Sequence, residues 1–154
     1  MKLQMALLLV AGGLLQAADP TGAILWSGGQ LDALHKEAST HMDETKSGMN
    51  PLVKESKFNA IVFHREGPGP AEIHEKLADF LIVREGEGAV LVGGKAVNPK
   101  PTTAGEQRGE KVEGATRYDL KAGDVLYIPA AVPHQVIVEK GKFMNALVIK
   151  MEGK

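Results

Sequence analysis

The chain has no cysteine among its 154 residues. Without cysteine, no disulfide can hold the fold, and no thiolate can serve as a nucleophile or a metal ligand. Any metal site must therefore be built from histidine and carboxylate side chains.

An excess of charge of either sign is also missing. The chain carries 18 basic and 19 acidic residues, a formal net charge of −1. Because no basic stripe is present that could neutralise a run of phosphates, nucleic acid is not an expected partner. The length fits one domain, and 44% of the residues are hydrophobic, which is ordinary for a globular protein.

Long apolar runs are absent except at the start of the chain. There, Lys2 precedes an almost uncharged apolar run from Met5 to Leu15, and the small residues Ala17 and Ala18 follow. This order predicts a signal peptide over residues 1–18, cleaved near Ala17 or Ala18, and hence a periplasmic or secreted protein. The alternative, a transmembrane anchor, needs about 20 apolar residues, and the run is shorter than that. We expect no membrane association after cleavage.

The rest of the chain divides into an N-terminal extension and one barrel domain. Residues 19–56 are predicted to form the extension, with Ser27 as the N-cap of a short helix over Gln30 to Ala38 whose apolar stripe packs on a sheet. From residue 57 to 154, short β-rich runs alternate with Gly and Pro turns, which is typical of an all-β sandwich or barrel. The stretch from Asn98 to Gly114 lacks periodicity and is predicted to be a long loop, with room for a small hairpin around Gly114.

Two segments carry the residues most suited to chemistry. Glu72 and His74 are two positions apart on a predicted strand, so their side chains project to the same face. Asp79 can face the same interior space if the chain turns after Lys76. In the second segment, Gly and Pro residues bracket a β-run and place His134 at the head of the next strand, in an otherwise apolar row.

These two segments resemble the two motifs of the cupin superfamily. The first motif, G-x5-H-x-H-x3,4-E-x6-G, is matched by His74 and Gly86, with Glu72 in place of the first His and Asp79 in place of Glu; its opening Gly is shifted by one, to Gly67. The second, G-x5-P-x-G-x2-H-x3-N, is matched by three residues and departs at two, where Ala131 replaces Gly and Val138 replaces Asn; the matching residues are Gly123, Pro129 and His134. The resemblance implies an all-β double-stranded β-helix, a jelly-roll-type barrel, with the short helix outside it.

The resemblance also implies a metal site. Cupins commonly hold one divalent metal inside the barrel, and the ligand positions carry over to Glu72, His74, Asp79 and His134. Such a set of imidazole and carboxylate ligands accepts Fe, Mn, Zn or Ni. Glu72 is expected to be either the fourth ligand or an adjacent base. The alternative is a degenerate barrel, in which these residues are held by hydrogen bonds and bind no metal.

Three functions stay open for such a chain: a metal-dependent enzyme of dioxygenase, isomerase or lyase type acting on a small organic substrate, a barrel that binds a sugar or organic acid without turnover, and a structural role. Tyr127 is a minor candidate for substrate contact, and His64 for a place at the cavity mouth. The resemblance further implies a homodimer that pairs through outer strands.

Overall fold

A computed structural model describes residues 21–153, so the predicted signal peptide lies outside the described residues. The helix α1 spans Gly28–Thr40. The strands that follow are β1 Ser47–Lys54, β2 Phe58–Arg65, β3 Ala71–His74, β4 Leu77–Val92, β5 Lys95–Ala96, β6 Lys100–Thr103, β7 Glu106–Gly109, β8 Val112–Glu113, β9 Thr116–Lys121, β10 Val125–Ile128, β11 His134–Ile137 and β12 Met144–Glu152. Within residues 21–153, no helix is long and apolar enough to span a membrane.

The helix begins where its sequence predicts. Ser27 is the N-cap, and its side chain and that of Gln30 exchange hydrogen bonds with each other's backbone N–H groups, as in a capping box. The apolar stripe of the helix, with Leu31 and Ala38, is buried. The helix packs on β1 and β2, and Asn50 of β1 donates to the carbonyl oxygen of Leu34 at 2.8 Å.

The strands form two antiparallel sheets that share β4. The first half of β4 lies between β12 and β10 and continues through β12 to β2 and β1. Its second half lies between β9 and β11 and continues through β11 to β3, β7 and β6. One long strand thus carries the chain from one sheet into the other, which curls the sheets around a common interior.

The main hydrophobic core fills that interior with side chains from both sheets. Phe63 of β2 and Val148 of β12 come from the first sheet, whereas Val136 of β11 and Leu120 of β9 come from the second. A smaller buried cluster is formed by Ala71 of β3, Ala96 of β5 and Val112 of β8. The predicted all-β barrel with one short helix is therefore confirmed.

Three local predictions differ from the structure. The stretch from Asn98 to Gly114 is not one long loop, because β6 and β7 form a hairpin within it and β8 pairs with β5. Residues Glu85 to Gly88, one of the glycine-containing segments predicted to be turns between the β-rich runs, are instead part of the continuous strand β4. In the extension, β1 pairs with β2 and extends the first sheet, so this part of the chain belongs to the barrel. Each of these pairings depends on distant partners that local periodicity does not reveal.

Three motif positions, Gly86, Gly123 and Ala131, have left-handed backbone, which explains why the motifs have glycine there. Gly86 has φ of 74°, and a Cβ atom there would lie 2.1 Å from the carbonyl oxygen of Phe143. Ala131, which replaces the motif glycine, has φ of 63° and therefore carries the strain that an L-residue has in this region. Its N–H donates to the carbonyl oxygen of His74 at 2.8 Å, so the turn is tied to the candidate site.

Candidate metal centre

The register of the strands brings the four predicted ligand residues together. His134, the first residue of β11, is paired with Glu72 of β3. His74 ends β3, and Asp79 is the third residue of β4, after a tight turn. The side chains of His74, Asp79 and His134 are 2%, 7% and 5% exposed, and that of Glu72 is 21% exposed. The site is therefore buried, with Glu72 on its more accessible side.

The donor atoms lie within the range that one ion can bridge. His74 Nε2 is 3.5 Å from Glu72 Oε2 and 3.5 Å from Asp79 Oδ2, and His134 Nε2 is 3.7 Å from Asp79 Oδ2. One donor atom from each of Glu72, His74 and His134 lies within 4.8 Å of the others. Bonds of ~2.0 to 2.2 Å to a shared ion place its ligand atoms roughly 3 to 4 Å apart.

Both imidazoles are oriented by a hydrogen bond at the ring nitrogen that faces away from the cluster. His74 Nδ1 lies 2.5 Å from Glu106 Oε2, and His134 Nδ1 lies 3.0 Å from the carbonyl oxygen of Val132. Because these oxygens accept, each Nδ1 carries the proton and each Nε2 keeps its lone pair. This is the arrangement of metal-binding histidines, whose second nitrogen commonly donates to a carboxylate or a carbonyl oxygen.

Two residues of β7, Glu106 and Arg108, contact the predicted ligands His74 and Glu72 but were not predicted from the sequence. Glu106 is paired with His74, and Arg108 with Glu72, in the register between β3 and β7. The Arg108 guanidinium bridges the two carboxylates, at 3.2 Å from Glu72 Oε2 and 3.1 Å from Glu106 Oε2. The alternation of Glu106 and Arg108 around Gln107 was the available signal, but it lay in a segment predicted to be a loop.

Lys150 is a third residue of the site that was not predicted from the sequence, and it lies inside the donor set. Its position in β12 is paired with Asp79 of β4. Lys150 Nζ lies 2.7 Å from Asp79 Oδ2 and 2.7 Å from His74 Nε2. A single Lys after the apolar run Ala146 to Ile149 is typical of the solvent-exposed end of a strand. Lys150 was therefore not expected in the interior of the barrel.

The electrostatics favour the protonation states that bind a cation. Burial raises the pKa of the Asp79 carboxyl, but its polar contacts, which include the Lys150 ammonium at 2.7 Å, outweigh burial and lower the pKa to about 2. Burial lowers the pKa of His134 from its usual value of 6.5. Asp79 is thus ionised and His134 neutral near pH 7. Asp79 Oδ1 is buried without a hydrogen-bond partner among residues 21–153, so an acceptor in the site is unused.

A cavity of about 60 Å³ opens beside the cluster. Glu72, Asp79, His134 and Lys150 form its polar side, and its other walls are apolar: Met49, Ile61, Phe63, Leu81, Ile128, Val136 and Val148. The volume suits water and a few non-hydrogen atoms, since one water needs about 10 to 15 Å³ by this type of measure.

The two minor candidates lie elsewhere. Tyr127 is 50% exposed, and its ring packs on Phe80 with the centroids 4.9 Å apart. His64 is buried outside this cavity, where Nδ1 lies 2.7 Å from Asn145 Oδ1 and Nε2 lies 3.0 Å from Glu66 Oε1. Neither residue is among those that line the cavity or that form the donor cluster.

The residues present fit a divalent metal. The Nε2 atoms of His74 and His134 and the carboxylates of Glu72 and Asp79 converge from three strands, and one oxygen of Asp79 is buried without a partner among the described residues. The donor set has no sulfur, which favours Fe, Mn, Zn or Ni over Cu(I).

Comparison with known proteins supports the fold. No protein-family model and no curated protein sequence matches the chain. Among solved structures, it is similar to a conserved protein with a double-stranded β-helix domain from Klebsiella pneumoniae (13% identity, TM-score 0.58, covering 86% of this chain and 92% of that one). It is also similar to the cupin domain of Cnp3 from Schizosaccharomyces pombe (13%, 0.53, 71% and 66%) and to the Fe(II) form of HppE (17%, 0.51, 68% and 50%).

These likenesses agree with the topology and with the two sequence motifs. The chain has a double-stranded β-helix fold, similar to that of these structures. At these identities the likeness concerns the fold, and the chemistry of the site must be argued from its own residues.

Proposed function

We propose that the barrel holds one divalent metal ion between His74, His134 and Asp79, and that the protein is an exported enzyme acting on a small organic substrate. The observation that carries the proposal is that the Nε2 atoms of both histidines lie within 3.7 Å of the ionised Asp79 carboxylate in a buried site. The similarity to the Fe(II) form of HppE, a protein of the same fold, supports a metal in such a barrel.

Each residue has a distinct task in this proposal. His74 and His134 present Nε2 because their Nδ1 atoms are held by Glu106 and Val132. When bound, a divalent ion supplies Lewis acidity or a centre for O2 binding. Glu72, held by Arg108 at 3.2 Å and partly accessible from the cavity, is either the fourth ligand or the group that moves a proton to or from the substrate.

The cavity restricts the substrate class. Its volume of about 60 Å³ and its apolar walls favour a small molecule with one polar end directed at Glu72 and His134 and an apolar body against Phe63 and Val148. Because these apolar walls exclude water, electrostatic interactions inside the site are stronger than they would be in bulk water. The identity of the substrate will decide whether the reaction is of dioxygenase, isomerase or lyase type.

A second candidate function is a barrel that binds a small ligand without turnover. Lys150 favours it, because the ammonium already satisfies His74 Nε2 and Asp79 Oδ2. In this case the cluster is a closed network of hydrogen bonds, and a sugar or organic acid occupies the cavity without chemistry. Metal content separates the two candidates.

The metal is tested by elemental analysis of the mature protein purified without added metal, followed by titration with Mn, Fe, Zn and Ni. We expect about one ion per chain and a large loss of occupancy in His74→Ala and in His134→Ala. His41→Ala is the matched control, because His41 is exposed and bonds only near the end of α1. A wild-type protein that binds none of the four metals would contradict the proposed metal site and leave the second candidate.

The role of Glu72 is tested by Glu72→Ala once a substrate is found by screening with the metal that the protein contains. Loss of the metal would mark Glu72 as a ligand. Retained metal with lost turnover would mark it as the base. Unchanged metal content and unchanged turnover would remove Glu72 from the mechanism.

Export is part of the same proposal. Residues 1–18 have the order of a signal peptide, so the enzyme is proposed to act outside the cytoplasm. N-terminal sequencing of the protein from its native host should find a chain that begins after Ala17 or Ala18. A product that retains Met1 in the cytoplasm would contradict the localisation and leave the metal site as it is.

A further inference from the structure

Lys150 and a metal require the same atom of His74. Nε2 has one lone pair, and that lone pair accepts a hydrogen bond from Lys150 Nζ at 2.7 Å. The opposite ring nitrogen is engaged with Glu106, so His74 has no other acceptor to offer. An imidazole nitrogen can accept this hydrogen bond or coordinate an ion, but it cannot do both.

The same competition holds at Asp79. Lys150 Nζ lies 2.7 Å from Oδ2, the oxygen that lies 3.5 Å from His74 Nε2 and 3.7 Å from His134 Nε2. The ammonium therefore bonds to two of the three proposed ligands at the atoms that face the centre of the cluster. This position follows from the fold, because Lys150 and Asp79 are paired in neighbouring strands.

The charges of the cluster point the same way. Three carboxylates, those of Glu72, Asp79 and Glu106, face two cations, Lys150 and Arg108. With the imidazoles neutral, the set carries one excess negative charge while Lys150 is in place and two when it has left. A divalent ion brings the set to zero net charge when Lys150 has left, but to a net charge of +1 when Lys150 is in place. Two cations this close in a buried site repel each other strongly.

We propose that the Lys150 ammonium is a built-in competitor of the metal ion, so that the donor set holds either Lys150 or the metal. This inference rests on the donor set of the proposed function, but it concerns which cation that set holds. Lys150 has space to leave, because its side chain lines the cavity of about 60 Å³, and an ammonium group is close in size to one water. The apparent metal affinity of the chain is then lowered by the fraction of molecules in which Lys150 occupies the site.

The test compares metal affinity in the wild type and in Lys150→Met, which keeps a long side chain and removes the charge. We expect Lys150→Met to bind Zn²⁺ about tenfold or more tightly than the wild type, measured by equilibrium dialysis with elemental analysis. A tenfold difference means that Lys150 has left the donor set in about a tenth of the wild-type molecules. Lys142→Met is the matched control, because it removes an ion-paired lysine from the surface, where Lys142 contacts Glu87 and Glu139. Lys150→Gln replaces the Met variant if that variant fails to fold.

The outcomes separate this inference from the proposed function. Tighter binding in Lys150→Met than in the wild type supports both, and binding in the variant alone supports the inference while it removes the metal from the natural chain. Equal affinity overturns the inference and leaves the metal site intact. Weaker binding in the variant overturns it as well, because Lys150 would then assist the metal. Absence of binding in both proteins overturns the inference and the proposed metal together.

A measurement on the wild type alone provides a second readout. Acetylation of Lys150 by acetic anhydride, followed by mass spectrometry, should speed up when Zn²⁺ is added, because the displaced amine is no longer held by His74 and Asp79. Lys142 should be modified at the same rate with and without the metal. An unchanged rate at Lys150 in a protein that has bound the metal would contradict the inference.

Discussion

At the scale of single residues, the site shows that ligands and their supports differ in how far the sequence predicts them. His74, His134 and Asp79 stand at motif spacings, so their convergence could be expected from the resemblance to the cupins. Glu106, Arg108 and Lys150 reach the same cluster only through the registers of β3 with β7 and of β4 with β12. The local sequence does not show which distant strands pair, so even the alternation of Glu106 and Arg108 did not indicate that these side chains reach the cluster.

Glu106 is expected to support the metal without binding it. Glu106→Gln keeps the size of the side chain but weakens the acceptor for His74 Nδ1, so metal affinity should fall about 10- to 100-fold. Isothermal titration with Zn²⁺ measures this change. Glu110→Gln is the control in the same segment, because Glu110 is exposed and accepts from Asn98 outside the site. Equal affinity in Glu106→Gln and wild type would show that the 2.5 Å contact with His74 has no role in metal binding.

Ala131 is expected to be a source of strain. Its φ of 63° destabilises the folded state by about 1 to 2 kcal/mol for an L-residue. Glycine would remove this strain but would lower the stability by about 0.4 to 1 kcal/mol, because the unfolded chain gains conformational freedom. Ala131→Gly should therefore raise the free energy of unfolding by about 0.5 to 1 kcal/mol, measured by urea denaturation. A lower free energy of unfolding in the glycine variant would mean that the turn is not strained.

At the scale of elements, α1 and β1 show that the N-terminal extension is packed on the barrel. The capping signal of Ser27 and the apolar stripe predicted the helix, but β1 was missed, since its apolar residues are interrupted by Asn50 and Pro51 and it gains its stability from pairing with β2. His35 lies buried in α1, and its two ring nitrogens have no hydrogen-bond partner among the described residues.

The burial of His35 predicts a pH-dependent stability of this packing. Burial, and then the charge of Arg84, lower the pKa of His35 below its usual 6.5. The unfolded chain thus binds a proton that the folded chain does not, so this stability is complete above about pH 6.5 and is lost as the pH falls towards the folded pKa. His35→Leu should flatten the decline of the free energy of unfolding between about pH 7 and pH 5. Parallel curves for the two proteins would contradict the assignment to His35.

At the scale of the whole molecule, the class of fold could be predicted because the β-rich runs, the turn residues and the two motifs agree. What the sequence could not give is the sharing of β4 by both sheets, since the residues Glu85 to Gly88 have the composition of a turn. The donor cluster lies beside the main hydrophobic core, and the proposed binding of a metal and of a substrate depends on that position.

The homodimer implied by the resemblance stays a prediction. The outer edge of β1 lies at the end of the strand order, and Met49 on this strand is 57% exposed. Light scattering coupled to size exclusion should give a mass of two chains at micromolar concentration. A mass near 16.4 kDa or below, the value for one full chain, would contradict pairing.

His74 and His134 are proposed to hold one ion together, and anomalous diffraction at the zinc edge from crystals grown with Zn²⁺ would locate that ion. We expect one anomalous peak at about 2.0 to 2.1 Å from Nε2 of both histidines, with Lys150 Nζ moved away from His74. A protein in which no peak touches both imidazoles, and in which Lys150 Nζ stays 2.7 Å from His74 Nε2, would contradict it.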